Sequence, residues 1–332
     1  MNALATSLTN MTTADQSAAD AVHHRAANVL RPAGALQSLD HIAIHIAAWQ
    51  RTTTPSVRRP AVVVFAGDHG IAAAGVSAYP SSITREMLRA VQGGRATVNA
   101  MAVRVGADVS VVDVGVEQPT GDFRHESALT PERFDEIVTI AFATVDDVVA
   151  AGHDALVLGE LGIGNTTAAA AVAAKLLGGP TRQWVGRGTG VDDEGLDRKV
   201  DAVAEAIARI ADVTDPLEVL REVGGSELVA IAAACARARH HHLPVVLDGY
   251  VVTSAVLALH CADAAALDHC LAGHVSAEGG HRLLLEHLGM QPILDLGMRL
   301  GEGSGALAAL PIIDLACAAV TDVATFDEWF GS

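Results

Sequence analysis

Five short runs rich in valine, isoleucine and leucine each end in a glycine-containing polar loop: AVVVFAGDHG (61–70), DVSVVDVGVE (108–117), DALVLGELGIG (154–164), LPVVLDGYVVTS (243–254) and, more weakly, HCLAGHVSAEGG (269–280). Continuous apolar runs of this length mark strands buried on both faces. Helical spacing occupies 83–105, 145–151, 166–177, 196–211 and 225–239. The alternation predicts βαβ crossovers and an α/β fold with a doubly wound parallel sheet. Ligands of such sheets bind beyond the carboxyl ends of the strands, where all five polar loops would meet.

The first 60 residues have no strand pattern and read as helical, with RPAG and TTTPSVRRP as punctuation. From Asp295 onward a glycine-rich turn leads into more helix. The expected organisation is a large α/β domain over 61–294 and a small helical domain built from 1–60 and 295–332, packed as a cap over the active edge of the sheet. A chain of 332 residues with 50% apolar content can bury such a core.

The net charge of −17 argues against a nucleic-acid partner and points to a small-molecule substrate. The N-terminus lacks a basic leader pattern, and no uncharged apolar run approaches the roughly 18 residues of a membrane span. A cytoplasmic location is expected. Cys235, Cys261, Cys270 and Cys317 show no metal-ligand spacing, so they read as small, buried, reduced residues and no metal is assigned.

Three glycine clusters carry candidate chemistry. In GELGIGNTT, 159–167, the glycines let the backbone approach a ligand, and the asparagine and threonines fall where a helix begins, an arrangement that favours phosphate. A tight strand-to-helix turn capped by Asn165 or Thr166 explains the same residues without a ligand. In VGRGTGVDDEGLDRKV, 185–200, the GxGxG spacing departs from the dinucleotide fingerprint, which excludes a Rossmann cofactor. Asp192 and Asp193 there cap the helix that carries Lys199. In LGEGSGALAALP, 300–311, Glu302 stands between glycines ahead of an apolar helix, and Ser304 lies outside a hydrolase elbow.

Together FAGDHGIAAAGVSAYP, GGRATVNAMA, GELGIGNTT, GRGTG, DGYVVTSA, HVSAEGGH and LGEGSGALAALP closely resemble the nicotinate-nucleotide:dimethylbenzimidazole phosphoribosyltransferase family, over Phe65 to Pro311. The resemblance implies a Rossmann-like sheet, a small helical domain from both ends, a homodimer and no cofactor. It also implies transfer of the 5-phosphoribosyl group of nicotinate mononucleotide to dimethylbenzimidazole with inversion at C1′.

By motif position Glu302 is the general base and Glu160 a second catalytic glutamate near the ribose. Gly162, Gly164, Asn165, Thr166, Gly188, Lys199 and Ser276 bind the nucleotide, as does Asp248, for which an N-cap role is the alternative. Tyr79, Pro80, Glu86, Leu161 and Leu300 surround the benzimidazole. Glu86 departs from the family's usual glutamine, and Leu161 from its usual methionine. The same transfer to another azole, a purine or a phenol stays open at this point. A noncatalytic nucleotide-binding relative is disfavoured by the intact Glu160, Glu302 and Lys199.

Overall fold

The computed structural model describes residues 3–331. Five strands form one sheet: β1 (Pro60–Ala66), β2 (Asp108–Asp113), β3 (Ala155–Leu161), β4 (Val245–Leu247) and β5 (Cys270–Ala272). All neighbours are parallel, in the order β2-β1-β3-β4-β5. The order reverses between β1 and β3, where the two outgoing loops diverge and leave a crevice. In register, Val64 pairs with Gly159 and Phe65 with Glu160, so Glu160 is carried to the carboxyl edge beside the GDHG loop.

Both faces of β1, β3 and β4 are covered, which explains why they read as unbroken apolar runs, whereas the edge strand β2 has no fully buried residue and departs from that expectation. Val63, Phe65, Leu156 and Leu158 face helices Asn165–Leu177, Ser226–His240 and Tyr250–Ala262. The buried stretch from Ala168 to Ala174 lets the first of these lie close to its neighbours. Val62, Val64, Ala155 and Val157 face Ile46, Val98, Ala102, Leu307, Leu310 and Ile313 from helices Gln37–Gln50, Thr97–Val105 and Ser304–Thr321.

Two elements differ from the periodicity. The segment expected as one helix over 83–105 is two, Ser82–Gln92 and Thr97–Val105, parted at Gly93 and at Gly94 with φ of 71°. Without a Cβ, glycine adopts this left-handed conformation at no steric cost and ends the helix. The YVVTS tail of the fourth run opens helix Tyr250–Ala262 instead of continuing a strand. A wholly buried apolar segment has no polar face, so periodicity could not assign it.

The two chain ends meet. Val22, Ala26, Ala43, Ala47 and Val320 form a cluster of their own. Arg25 bonds Glu328 at 2.8 Å and donates to the Val320 and Val323 carbonyls, and Val29 bridges to Thr325. Helix Ser304–Thr321 joins this cluster at its far end and covers a face of the sheet along the rest, so the tail forms part of the main sandwich. By length and composition alone that helix could cross a membrane, yet it carries Asp314 and more than half of it is buried.

The turn before this helix, Gly301–Glu302–Gly303, runs directly across β3. A Cβ at Gly159 would stand 2.6 Å from the Glu302 carbonyl carbon and the Gly303 nitrogen. Gly159 is therefore a glycine for clearance. Gly159→Ala should destabilise the chain by about 1–3 kcal/mol, the usual penalty for forcing extra volume into a packed site, read as a lowered urea midpoint at unchanged slope. An unaltered or raised midpoint would show that the turn does not rest on β3.

Candidate active site

Beyond the carboxyl ends of β3, β4 and β5 lies a cavity of about 270 Å³. Glu160, Leu161, Gly162, Ile163, Asn165 and Thr166 form its floor, Gly188, Thr189, Ser276, Glu278 and Arg299 one wall, and Tyr79, Ile83, Met87 and Leu300 another. Glu302 lines it as well. The site thus has an apolar slot, a polar cradle and two carboxylates.

Glu302 has φ of 61°, a conformation that costs energy in a non-glycine residue and is tolerated where surroundings enforce it. Flanking Gly301 and Gly303 share positive φ, at 86° and 79°. The Glu302 amide donates to the Glu160 carbonyl at 3.2 Å, which ties the turn to the end of β3. The residue is 3% exposed, and its carboxylate accepts weakly from the Val98 amide at 3.5 Å. Burial pushes its carboxyl above the usual range, the Val98 bond opposes this, and Asp248 adds to it.

Asp248 holds the turn. One carboxylate oxygen accepts from the Gly305 and Ala306 amides at 2.8 and 2.9 Å, and the other from Gly303 at 3.2 Å. It therefore satisfies the first amides of helix Ser304–Thr321 from a different strand end. His274 Nε2 lies 3.3 Å away. Asp248 is 1% exposed and does not line the cavity. Its geometry is that of a remote helix cap and not of the nucleotide contact expected from the sequence.

Glu160 is half-buried, and Asn165 Nδ2 donates to one of its oxygens. Burial, reinforced by the charges of Asp248 and Glu227 and more weakly by Glu302, pushes it up to about 8, against the lowering effect of Asn165. Behind Gly162, the fully buried His69 and Glu227 meet at 2.6 Å. A Cβ on Gly162 would come within 2.8 Å of Glu227 Oε1, so the loop needs glycine to lie on this pair.

The cradle is built on the unobstructed start of helix Asn165–Leu177. Its N-cap is Gly164 with φ of 98°, and no side chain caps it. Lys199, fully buried, lies behind the cradle: Nζ donates to Thr166 Oγ1 and to the Gly186 carbonyl, both at 2.8 Å. Burial lowers it to about 8, opposed by Glu278. Ser276 is held by His281, whose Nδ1 accepts from the Ser276 amide at 2.8 Å and lies 3.0 Å from its hydroxyl. Burial pushes His281 down to about 3, which keeps the imidazole neutral and free to accept.

Of the residues singled out in the sequence, Glu160, Glu302, Gly162, Asn165, Thr166, Gly188, Ser276, Tyr79, Leu161 and Leu300 line one cavity. Gly164, Lys199 and Asp248 stand behind its surface, and Pro80 flanks Tyr79 without lining it. Glu86, expected beside the benzimidazole, points to solvent with its side chain 54% exposed and engages Arg85 and Arg89. On an amphipathic helix whose inner face is Ile83, Thr84 and Met87, position 86 falls on the outer face.

Sequence reasoning missed Thr189, Glu278 and Arg299 on the polar wall and Ile83 and Met87 on the apolar one. For Glu278 a signal existed: EGG in HVSAEGGH repeats the carboxylate-next-to-glycine pattern of GEL and GEG. Arg299 sits three residues ahead of Glu302 and is the sole arginine or lysine among the lining residues.

A parallel sheet with a phosphate-type cradle and facing carboxylates defines the class, and the match to a phosphoribosyltransferase family model over residues 11–329 agrees with it. A nicotinate-nucleotide–dimethylbenzimidazole phosphoribosyltransferase of Methylocella silvestris is 47% identical over 319 residues, covering 96% of this chain and 92% of that one. The protein of that name from Cereibacter sphaeroides is 46% identical over 315 residues, covering 95% and 92%. The crystal structure of CobT from Thermus thermophilus superimposes with a TM-score of 0.91 at 41% identity, covering 95% of this chain and 98% of that one. The chain belongs to the nicotinate-nucleotide–dimethylbenzimidazole phosphoribosyltransferase family.

The raised Glu160 value has a measurable sign. The folded chain holds this proton more tightly than an unfolded carboxyl near 4.5, so the associated stability is full below that value and is lost as pH rises toward 8. Glu160→Gln removes the titration. Its Tm relative to the parent should rise by several degrees between pH 5 and pH 8.5, measured by calorimetry, whereas a constant difference across that range would show that Glu160 ionises like a surface carboxyl.

Proposed function

We propose that this chain transfers the 5-phosphoribosyl group of nicotinate mononucleotide to dimethylbenzimidazole, releasing nicotinate and giving α-ribazole 5′-phosphate with inversion at C1′. The observation that supports this reading is that Glu160 and Glu302, joined by the Glu302 amide to the Glu160 carbonyl, line the same cavity as Thr166, Gly188 and Ser276. In this reading the phosphate occupies the cradle, near the start of helix Asn165–Leu177 and Arg299, which bonds the Gly188 carbonyl at 3.3 Å. Lys199 supports that anion from behind through Thr166.

The azole lies in the slot of Tyr79, Ile83, Met87, Leu161 and Leu300. One azole nitrogen bonds to C1′ as the bond from C1′ to the pyridinium nitrogen breaks, and the electron pair departs with nicotinate. The proton on the other azole nitrogen passes to Glu302, which prevents positive charge from accumulating on the ring. The departing pyridinium is already a cationic leaving group, so this chemistry asks for no cofactor.

Glu160 faces the ribose. The cationic nicotinate ring lowers its raised value on binding, and the resulting carboxylate favours positive charge developing at C1′. Asp248 acts by fixing the Glu302 turn. The helical unit of 1–60 and 295–332 supplies the base to the cradle of the 61–294 unit. The reading also makes the working species a cytoplasmic homodimer.

The purified chain, incubated with nicotinate mononucleotide and dimethylbenzimidazole, should release nicotinate and α-ribazole phosphate in equal amounts, followed by chromatography. No nicotinate release with any azole, purine or phenol acceptor would overturn the reading. Glu302→Gln should lower kcat by about 100-fold, the worth of a positioned base, with little change in KM for the nucleotide. Parental turnover should climb with pH through the raised Glu302 value, since only the ionised carboxylate accepts a proton. Near-normal turnover in the variant would transfer the base role to Glu160.

A further inference from the structure

Outside the substrate cavity, the fold assembles a second cluster that linear spacing does not reveal. Cys235 lies on helix Ser226–His240, Cys270 opens β5, and His269 immediately precedes it. All three are buried. The two Sγ atoms are 3.5 Å apart, and His269 Nε2 is 3.7 Å from the Cys235 sulfur and 3.8 Å from that of Cys270.

The sulfur–sulfur and sulfur–Nε2 lengths are those between ligand atoms of one ion, but the Cys270 sulfur also lies 3.7 Å from His269 Nδ1, beside the ring, so the imidazole would have to turn to share an ion with it. A tetrahedral zinc ion about 2.3 Å from sulfur and about 2.0–2.1 Å from nitrogen holds its ligand atoms roughly 3.5–3.8 Å apart. His269 Nε2 also lies 3.0 Å from the Cys235 carbonyl, where its proton is donated in the metal-free chain. Metal binding would displace that proton together with those of the two thiols.

His45, on helix Gln37–Gln50, bonds the His269 backbone, and its buried Nε2 has no hydrogen-bond partner among the described residues. Trp49 from the same helix meets the His269 ring edge-on at 5.5 Å, and Arg239 lies over Trp49 at 5.0 Å, closing the cluster from solvent. The surroundings are those of a structural site and not an open catalytic one.

We propose that Cys235, His269 and Cys270 form a structural site for a thiophilic divalent metal of the zinc class. Such an ion would clip together two elements distant in sequence, helix Ser226–His240 and the edge strand β5. It takes no part in the transfer reaction, so it stands or falls independently of the proposed activity.

The full chain, stripped with a chelator and kept reduced with a phosphine, is titrated with Co²⁺ as the optical probe. One equivalent should bind with thiolate-to-cobalt charge-transfer absorption and tetrahedral d–d bands, and Zn²⁺ should displace it and raise Tm by several degrees. The double variant Cys235→Ser/Cys270→Ser should lose these bands while retaining nicotinate release. X-ray absorption on the zinc-loaded parent provides a test without any variant, with two sulfurs expected at about 2.3 Å. A first shell of nitrogen and oxygen only, the absence of thiolate charge transfer, or bands that survive in the double variant would overturn the site.

Discussion

Everything at the cavity rests on one carboxylate that does not touch it. Asp248, at the end of β4, binds the amides of Gly303, Gly305 and Ala306 and so fixes where helix Ser304–Thr321 begins. That contact holds Glu302 in a left-handed conformation it would otherwise avoid, against the one strand position, Gly159, with no side chain in the way. A buried acceptor serving three amides is strong because each bond is charge-assisted and none competes with water.

The same contact shapes the electrostatics. Burial raises both Glu160 and Glu302, Asp248 adds repulsion to each, and Glu227 adds to that on Glu160 from behind Gly162. Carboxyls crowded in this way resist ionising until a positive group arrives. In the proposed function a pyridinium nucleotide is such a group, and its phosphate would be held without a surface excess of basic residues, through backbone amides, one wall arginine and a buried lysine. This is how a chain of net charge −17 can hold an anionic substrate.

Much of this was legible beforehand, for physical reasons. Two-sided burial made β1, β3 and β4 continuous apolar runs, and the need for close backbone approach wrote glycines around Glu160 and Glu302. What was hidden depended on direction in space. Periodicity alone did not separate the inward Met87 from the outward Glu86 when a family position was carried across, nor show that Asp248 faces a helix start contributed by the distant tail. It could not bring Cys235 beside Cys270, since β5 and helix Ser226–His240 meet only through tertiary packing. Helix Tyr250–Ala262 was hidden because burial on all sides erases the amphipathic signature.

A crystal structure of the chain with α-ribazole 5′-phosphate and nicotinate bound would probe this arrangement at the atoms concerned. The phosphate should lie on the Thr166, Gly188 and Ser276 cradle, with a Glu302 oxygen about 3 Å from the azole nitrogen remote from C1′. A phosphate seated against the two glutamates, or an azole whose free nitrogen faces away from Glu302, would contradict it.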